Sequence, residues 1–507
     1  MPLARARSVA LLGVHGHVVE VEADLGRGLP GTTIIGLPDE ALAEARDRIR
    51  AAIVNSGGSW PNHRITLALS PADLRKHGSG YDLALAASVL CAAGVLPQSG
   101  LDDVVLVGEL GLDGRVRPVR GTLPAVHAAA TAGIARAVVP VDNAAEAALV
   151  TRVAVYGVES LHALVQFLRG ERPDLAAASP PAATAEPPSE DLVDVAGQSL
   201  GRRALEVAAA GGHHLLLGGP PGAGKTMLAE RLPGILPPLS ERDALEVTAV
   251  HSVAGLLPPG SPLVSLPPFR APHHTASVAA LVGGGSGVPR PGAISCAHRG
   301  VLFLDEAPEF PAGALDALRE PMERGTISIA RAGGTFEYPA RFQLVLAANP
   351  CPCASPSGDT ACVCPPQARR RYLARLSGPL LDRVDLRVQL MPLVRSSLLA
   401  DAGSAESSRG VAVRVAKARA AAAERLAGTP WRLNSEVPGP VVRGRWRPAR
   451  AALRDVLLAL DTGAISARGF DRILRMAWTT ADLAGHVVPD RHDVGEALGF
   501  RRFELAA

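Results

Sequence analysis

Long apolar runs are missing from this sequence. The longest, residues 83–96, falls short of the roughly 18 residues a membrane span needs, so no segment is expected to cross a bilayer. Arg5 and Arg7 ahead of residues 8–14 have the outline of a signal peptide, but His15 and His17 break the run. No small-residue cleavage site follows, which points to the cytoplasm. Cysteine is scarce, six in 507 residues, which excludes a disulfide scaffold. Charge of one sign is also scarce. With a net charge of +3, contact with nucleic acid has to be argued from where individual arginines sit. Aromatic residues make up only 3%, while Ala, Arg, Gly and Pro abound, which reads as coding bias. No repeat of 20–50 residues is present, so a solenoid is excluded.

What remains is an ordinary globular composition, 47% hydrophobic and 20% charged, in a chain too long for one core; two to four domains are expected. The clearest boundary is residues 171–190, ERPDLAAASPPAATAEPPSE, a Pro/Ala/Ser stretch without apolar period that reads as a semi-extended linker. It separates an N-terminal domain, 1–170, from a core at 191–392. Residues 395–409 are polar and Ser-rich, and a helical Ala/Arg stretch follows at 411–426. The part from 393 to 507 is expected to be helical, because Leu453, Val456, Leu457 and Leu460 recur at helical spacing.

The strongest motif lies near the middle. Gly219, Pro220, Pro221, Gly222, Ala223, Gly224, Lys225 and Thr226 satisfy G-x-x-x-x-G-K-T, with the apolar run 215–217 before them and a helix-forming MLAERLPGIL after. Strand, loop and helix together are the context this phosphate-binding loop requires. Its glycines let backbone N–H groups face phosphate oxygens. Lys225 is expected to reach the outer phosphates of ATP, and Thr226 to coordinate Mg²⁺. Residues 301–306, VLFLDE, read as a buried strand ending in two acids at its carboxyl edge, where open α/β sheets bind ligands. Asp305 would complete the Mg²⁺ shell and Glu306 would polarise the attacking water. A third strand, 342–348, ends at Asn349, a residue able to hold that water. Arg383 in GPLLDRVD and Arg468 in SARG are two further candidates. An arginine supplied by a neighbouring subunit stabilises phosphoryl transfer; a surface salt bridge is the plain alternative for each.

Long, unusual segments carry a family likeness. They are AAGGHHLLLGGPPGAGKTM (209–227), FRAPHHTAS (269–277), RPGAISCAHRGVLFLDE (290–306), LAANPCPC (346–353), LSGPLLDRVD (376–385) and SARGFDRILRMAWTTADL (466–483). Through them the chain resembles the bacterial ComM/YifB family of Mg-chelatase-like AAA+ ATPases over nearly its whole length. The resemblance implies an α/β multidomain protein with a central AAA+ P-loop domain and a C-terminal helical lid. It implies a homo-hexameric ring, Arg383 as the finger from the neighbouring subunit and Arg468 as sensor 2. For ComM members it implies DNA helicase activity in branch migration.

The same likeness extends to the N-terminal domain, where KHGSGYDLALAA (76–87) and GELGLDGRVRPVRGTLP (108–124) look like the Lon-protease/ribosomal-S5-like α+β fold. In Lon-type proteases these segments carry a serine and its activating lysine. Here Gly80 stands at the serine position, one residue from Ser79, and Leu123 or Pro124 at the lysine position. Without a lysine in the second segment the hydroxyl lacks its activator, so the domain reads as a non-proteolytic scaffold.

Two insertions are candidate DNA contacts, since related rings point such elements into the central pore. One is LVGGGSGVPRPG (281–292), carrying Arg290; the other is GTISIARAGGTFEYPAR (325–341), whose alternating Ile327 and Ile329 ahead of Gly333 and Gly334 predict a β-hairpin with Arg331 before its turn. Arginines repeated around a ring would grip phosphates without reading bases; the alternative is that both elements only pack against neighbouring subunits. His273 and His274 are expected on opposite faces of an extended segment and hence poor joint ligands, so a structural or nucleotide-relay role is expected of them instead. Cys351, Cys353, Cys362 and Cys364 could close a tetrahedral Zn²⁺ site. C-x-C spacing departs from the usual C-x₂-C, and a reduced, unligated loop is the alternative. Cys91 and Cys296 read as buried thiols. The leading function is a DNA-translocating ATPase. A metal-chelatase motor, a protease and an ATP-gated scaffold are the rivals.

Overall fold

The computed structural model describes residues 3–37, 39–172, 175–182, 190–285, 288–331, 334–354, 362–392 and 406–501. Most of the Ser-rich stretch at 395–409, Gly333, and parts of the linker and of the loop between the cysteine pairs lie outside the described residues.

The chain opens with a hairpin, Leu3–Leu12 against His15–Gly26, extended by Arg64–Ser70 and Gly31–Ile35 into a four-stranded sheet. Period-two alternation sets which face is buried. Ala4, Ala6, Val19, Val21 and Ala23 turn inward, while Arg5 on the other face donates to Glu22 across the pair at 2.9 Å. Val104–Leu106, Arg136–Pro140 and Ala154–Val158 form a second, parallel sheet. The helix Asp82–Ala92 is buried on nearly every side, which is why its sequence shows a continuous apolar run and no polar stripe. That run belongs to a core, and no described helix is long and apolar enough to cross a membrane. The linker is not free chain along its whole length: Ala178 N–H donates to Val155 O at 2.7 Å.

The middle of the chain is a five-stranded, all-parallel sheet in the order Phe269–Arg270, Val301–Leu304, Gln343–Ala348, Leu215–Gly218, Leu386–Gln389. Its inner strands are buried throughout, as parallel strands covered on both faces must be. The strand before the phosphate loop therefore lies beside the strand that ends at Asn349. The hairpin Thr326–Arg331 with Gly334–Pro339 is antiparallel, Arg331 opposite Gly334 at its turn. Ile327, Ile329, Phe336 and Tyr338 root it in the same buried cluster as Leu302, Leu304, Leu344 and Leu346.

Helices Ser408–Arg425, Arg454–Asp461, Ala467–Ala484 and Arg491–Gly499 make up most of the C-terminal part. Their apolar faces do not close on a separate core. Val411, Val415, Ile473, Leu474 and Ala477 share one buried cluster with Leu205, Leu217, Val345 and Val388 of the sheet region.

Candidate nucleotide site and its neighbouring surfaces

The glycines of the phosphate loop are needed by its backbone. Gly222 and Gly224 have φ of +77° and +87°, a region costly for residues with a Cβ, and no atom lies within 4 Å of where either Cβ would stand. The loop is thus left-handed at two points and open on the ligand side. Lys225 is buried at its root; its ammonium donates to Gly219 O at 2.7 Å, Pro220 O at 2.9 Å and Asn349 Oδ1 at 2.9 Å. Burial lowers its pKa, and the carboxylates of Asp305 and Glu306 oppose that shift.

Thr226 Oγ1 donates to Asp305 Oδ2 at 2.7 Å, and the other Asp305 oxygen accepts from Glu306 N–H at 2.9 Å. Two hard oxygens side by side below an open, N–H-lined loop suit Mg²⁺ with a polyphosphate. Glu306 itself has φ of +50°, an uncommon conformation for a residue with a side chain. Its carboxylate stands 3.3 Å from His274 Nδ1. His273 and His274 are not on opposite faces as expected. A turn closes there, Ala276 N–H to His273 O at 2.9 Å, and their rings lie 4.1 Å apart. The extended geometry failed because the turn interrupts it.

Asn349 is 7% exposed and lies against Tyr372, whose phenol is shifted upward by burial, with Glu309 and Glu306 adding to it. The sequence suggests a structural or nucleotide-relay role for His274, which stands against Glu306; Tyr372 was not singled out. FRAPHHTAS carried a signal for the first; nothing marked the second.

Arg383 and Arg468 do not join the phosphate loop of their own chain. Arg383 precedes the strand Leu386–Gln389, whose amino end aligns with Leu215 and whose carboxyl end aligns with Gly218. It is therefore at the opposite edge of the sheet from Gly219. There it donates to Pro379 O at 2.6 Å and pairs with Glu323. Arg468 lies 3.7 Å from Asp382, beside Arg383, and its side chain is 75% exposed. Beneath them Arg472 pairs with buried Asp385 at 2.5 Å. Burial alone would raise the Asp385 pKa, but Arg472, His213 and His214 outweigh it and hold the carboxyl well below its usual range.

The two arginine-bearing insertions come together. Tyr338 of the hairpin donates its hydroxyl to Pro289 O, and a Cβ on Gly283 would touch Ile329. Gly283–Gly284 pairs with Arg290–Pro291, making the glycine-rich loop a second, shorter hairpin. Arg290 and Arg331 are both exposed. In the N-terminal domain Ser79 bonds to Glu109, while the buried Lys76 ammonium donates to the carbonyls of Leu69 and Pro71. Neither side chain activates the other.

Cys351, Cys353, Cys362 and Cys364 converge, every sulfur within 4.8 Å of the others. The short C-x-C spacing was an objection that a turn removes: Ala354 N–H reaches Cys351 O at 3.3 Å and Ala354 takes φ of +48°. Cys296 is buried as expected, but Cys91 is only partly so.

Comparison with known proteins bears on the whole chain. Residues 191–398 match the family described as magnesium chelatase, subunit ChlI; residues 21–143 match subunit ChlI of Mg-chelatase, and 405–501 match its C-terminal family. An uncharacterized protein of Mycobacterium tuberculosis is 57% identical over 502 residues, 99% of each chain. The protein YifB of Escherichia coli is 41% identical over 518 residues, covering 99% of this chain and 98% of its own. The competence protein ComM of Haemophilus influenzae is 41% identical over 512 residues, with the same shares.

Proposed function

This chain belongs to the ComM/YifB family of Mg-chelatase-like AAA+ ATPases, and from that premise we propose that it is a DNA-translocating motor, a helicase of branched recombination intermediates. The observation that carries the reading is the meeting of the two arginine-bearing hairpins, one of them rooted in the buried cluster of Leu304 and Ala348, whose strands lead into Asp305, Glu306 and Asn349. A ring of such arginines would grip the phosphate backbone without base readout.

In this reading Lys225 leaves its carbonyl partners for the outer phosphates of ATP, and Asn349 and Glu306 hold and polarise the attacking water. Bound at Thr226 and Asp305, Mg²⁺ would neutralise phosphate charge. His274 positions the Glu306 carboxylate. Arg383 and Arg468 act on the nucleotide of the next subunit in a homo-hexamer. Residues 1–170 form a non-proteolytic Lon-like scaffold, 171–190 a linker, 191–392 the motor core and 393–507 its helical lid.

A second reading draws on the printed description of the matching family, magnesium chelatase: the same core would drive metal insertion through partner subunits. ATP hydrolysis measured without DNA and with single-stranded, duplex and four-way-junction DNA separates the two. Stimulation that disappears in Glu306→Gln is expected. Turnover indifferent to all three DNAs would reject the translocase in favour of the chelatase-type motor.

A further inference from the structure

The four-cysteine cluster is absorbed by none of the chemistry above. It begins two residues after Asn349, where the strand Gln343–Ala348 ends, and its last member, Cys364, is followed by Pro365 and the helix Pro366–Leu373. Cys351 Sγ lies 2.9 Å from Cys353 Sγ, and Cys353 Sγ lies 3.7 Å from Cys362 Sγ. Thiolates around zinc at about 2.3 Å form a tetrahedron with edges of about 3.8 Å; the four sulfurs all lie within 4.8 Å of one another, close enough to share one ion. Iron–sulfur clusters hold cysteines on different irons and need more room between sulfurs. From this convergence we propose that Cys351, Cys353, Cys362 and Cys364 bind one Zn²⁺ as a closed structural site.

Without an ion the cluster is a poor arrangement of thiols. Cys351 is buried, and its Sγ lies against that of Cys353. An ion supplies the positive charge that makes thiolates favourable in such a place. Position gives the site its consequence. The ion ties the end of the Asn349 strand to the helix whose Tyr372 lies against Asn349. It thereby fixes the residue that Lys225 contacts at 2.9 Å. Four protein ligands leave no open position, so the ion holds structure and takes no part in the reaction. Metal binding here is independent of whether the motor acts on DNA.

The test is metal analysis of the untagged full-length protein, purified under reductant, beside a Cys362→Ser/Cys364→Ser variant. One zinc per chain in the parent and far less in the variant is expected. Exchange into Co²⁺ should give the intense visible bands of tetrahedral cobalt thiolate. If the variant does not fold, the parent alone decides: zinc should protect four of the six thiols from a thiol reagent, and a chelator should release all four. Reduced protein offered zinc that retains none, full zinc in the folded variant, or a disulfide between these cysteines that persists in reductant would each overturn the site.

Discussion

The position of Arg383 makes a quantitative prediction about mixed rings. Strand Leu386–Gln389 runs parallel to Leu215–Gly218 in register, so Arg383 and Gly219 lie beyond opposite ends of a four-residue span. At about 3.3 Å per residue the span alone is about 10 Å, and the main chain at Asp385 is still on the near side, donating to His214 O at 3.1 Å. An arginine that turns instead to Glu323 and Pro379 cannot serve its own nucleotide. Arg383→Ala should therefore cost about 10³-fold or more in turnover, the usual scale for a finger in trans. Glu306→Gln should be inactive for a different reason, loss of the residue proposed to polarise water. Mixed in equal amounts, the two dead proteins should recover activity. A competent interface needs Glu306 from one subunit and Arg383 from the next, a combination met at about one quarter of interfaces in randomly assembled rings. The assay is steady-state ATP hydrolysis against mixing ratio, after co-expression or subunit exchange. No recovery at any ratio, in rings verified to be mixed, would refute action across the interface.

Other consequences are more local. Arg331→Ala should weaken binding to all DNA sequences alike and lower the slope of log affinity against log salt by about one per lost phosphate contact; a sequence-selective loss in a binding titration would count against the pore hairpin. Gly13, at the turn of the first hairpin, has φ of +70°, and a Cβ there would strike Glu337 O of the arginine-tipped hairpin. Gly13→Ala should thus loosen the N-terminal domain from the hairpin, read as faster hydrogen exchange across 326–331 and 334–339. His214 accepts Leu344 N–H at Nδ1, 2.9 Å away, and burial pushes its pKa down to about 4. A base whose folded pKa is depressed stabilises the fold above its unfolded value, about 6.5, and loses that contribution as pH falls toward 4, at up to ~1.4 kcal/mol per pH unit. Thermal melts of His214→Asn, which keeps an acceptor, should be flatter across that window than those of the parent. Equal slopes would remove His214 from the account.

How far the sequence carried the reading depended on whether the signal was local. The phosphate loop, the strand ending at Asp305 and the hairpin around Arg331 were legible because each is specified within a dozen residues: glycines where φ is positive, continuous apolar runs in covered strands, alternation in the hairpin. The sharing of one core by the C-terminal helices and the sheet was not legible. Helical spacing tells which face is apolar and says nothing about what covers it, here Leu205, Leu217 and Val388. The turn at His273 and His274 was missed for a similar reason. Only the third dimension brings His274 to Glu306, 32 positions further along the chain. The cysteine spacing misled in the opposite direction, because a left-handed residue, Ala354, supplies the turn that C-x-C alone does not promise.

These placements bear on how hydrolysis would move DNA. The proposed catalytic groups Glu306 and Asn349 terminate neighbouring strands, Val301–Leu304 and Gln343–Ala348, and the hairpin that carries Arg331 is inserted between those strands in sequence. Its inner residues, Ile327, Ile329, Phe336 and Tyr338, are at most 7% exposed and pack with Leu302, Leu304, Leu344 and Leu346. Packed interiors resist compression and transmit displacement. A small shift of the two strand ends on loss of the γ-phosphate would therefore be carried to the hairpin root without a separate linkage, and the hairpin's length would enlarge it at the tip. The N-terminal domain bears on that same hairpin, with Leu12 and Val14 packed against the cluster and Gly13 against Glu337. A scaffold seated there would meet every excursion of the tip. On this arrangement the N-terminal domain would act mechanically, setting how far the hairpin travels in each cycle, and Gly13→Ala should change step coupling (strand displaced per ATP) more than the rate of hydrolysis itself. Equal loss of both would instead place the domain in the assembly of the ring.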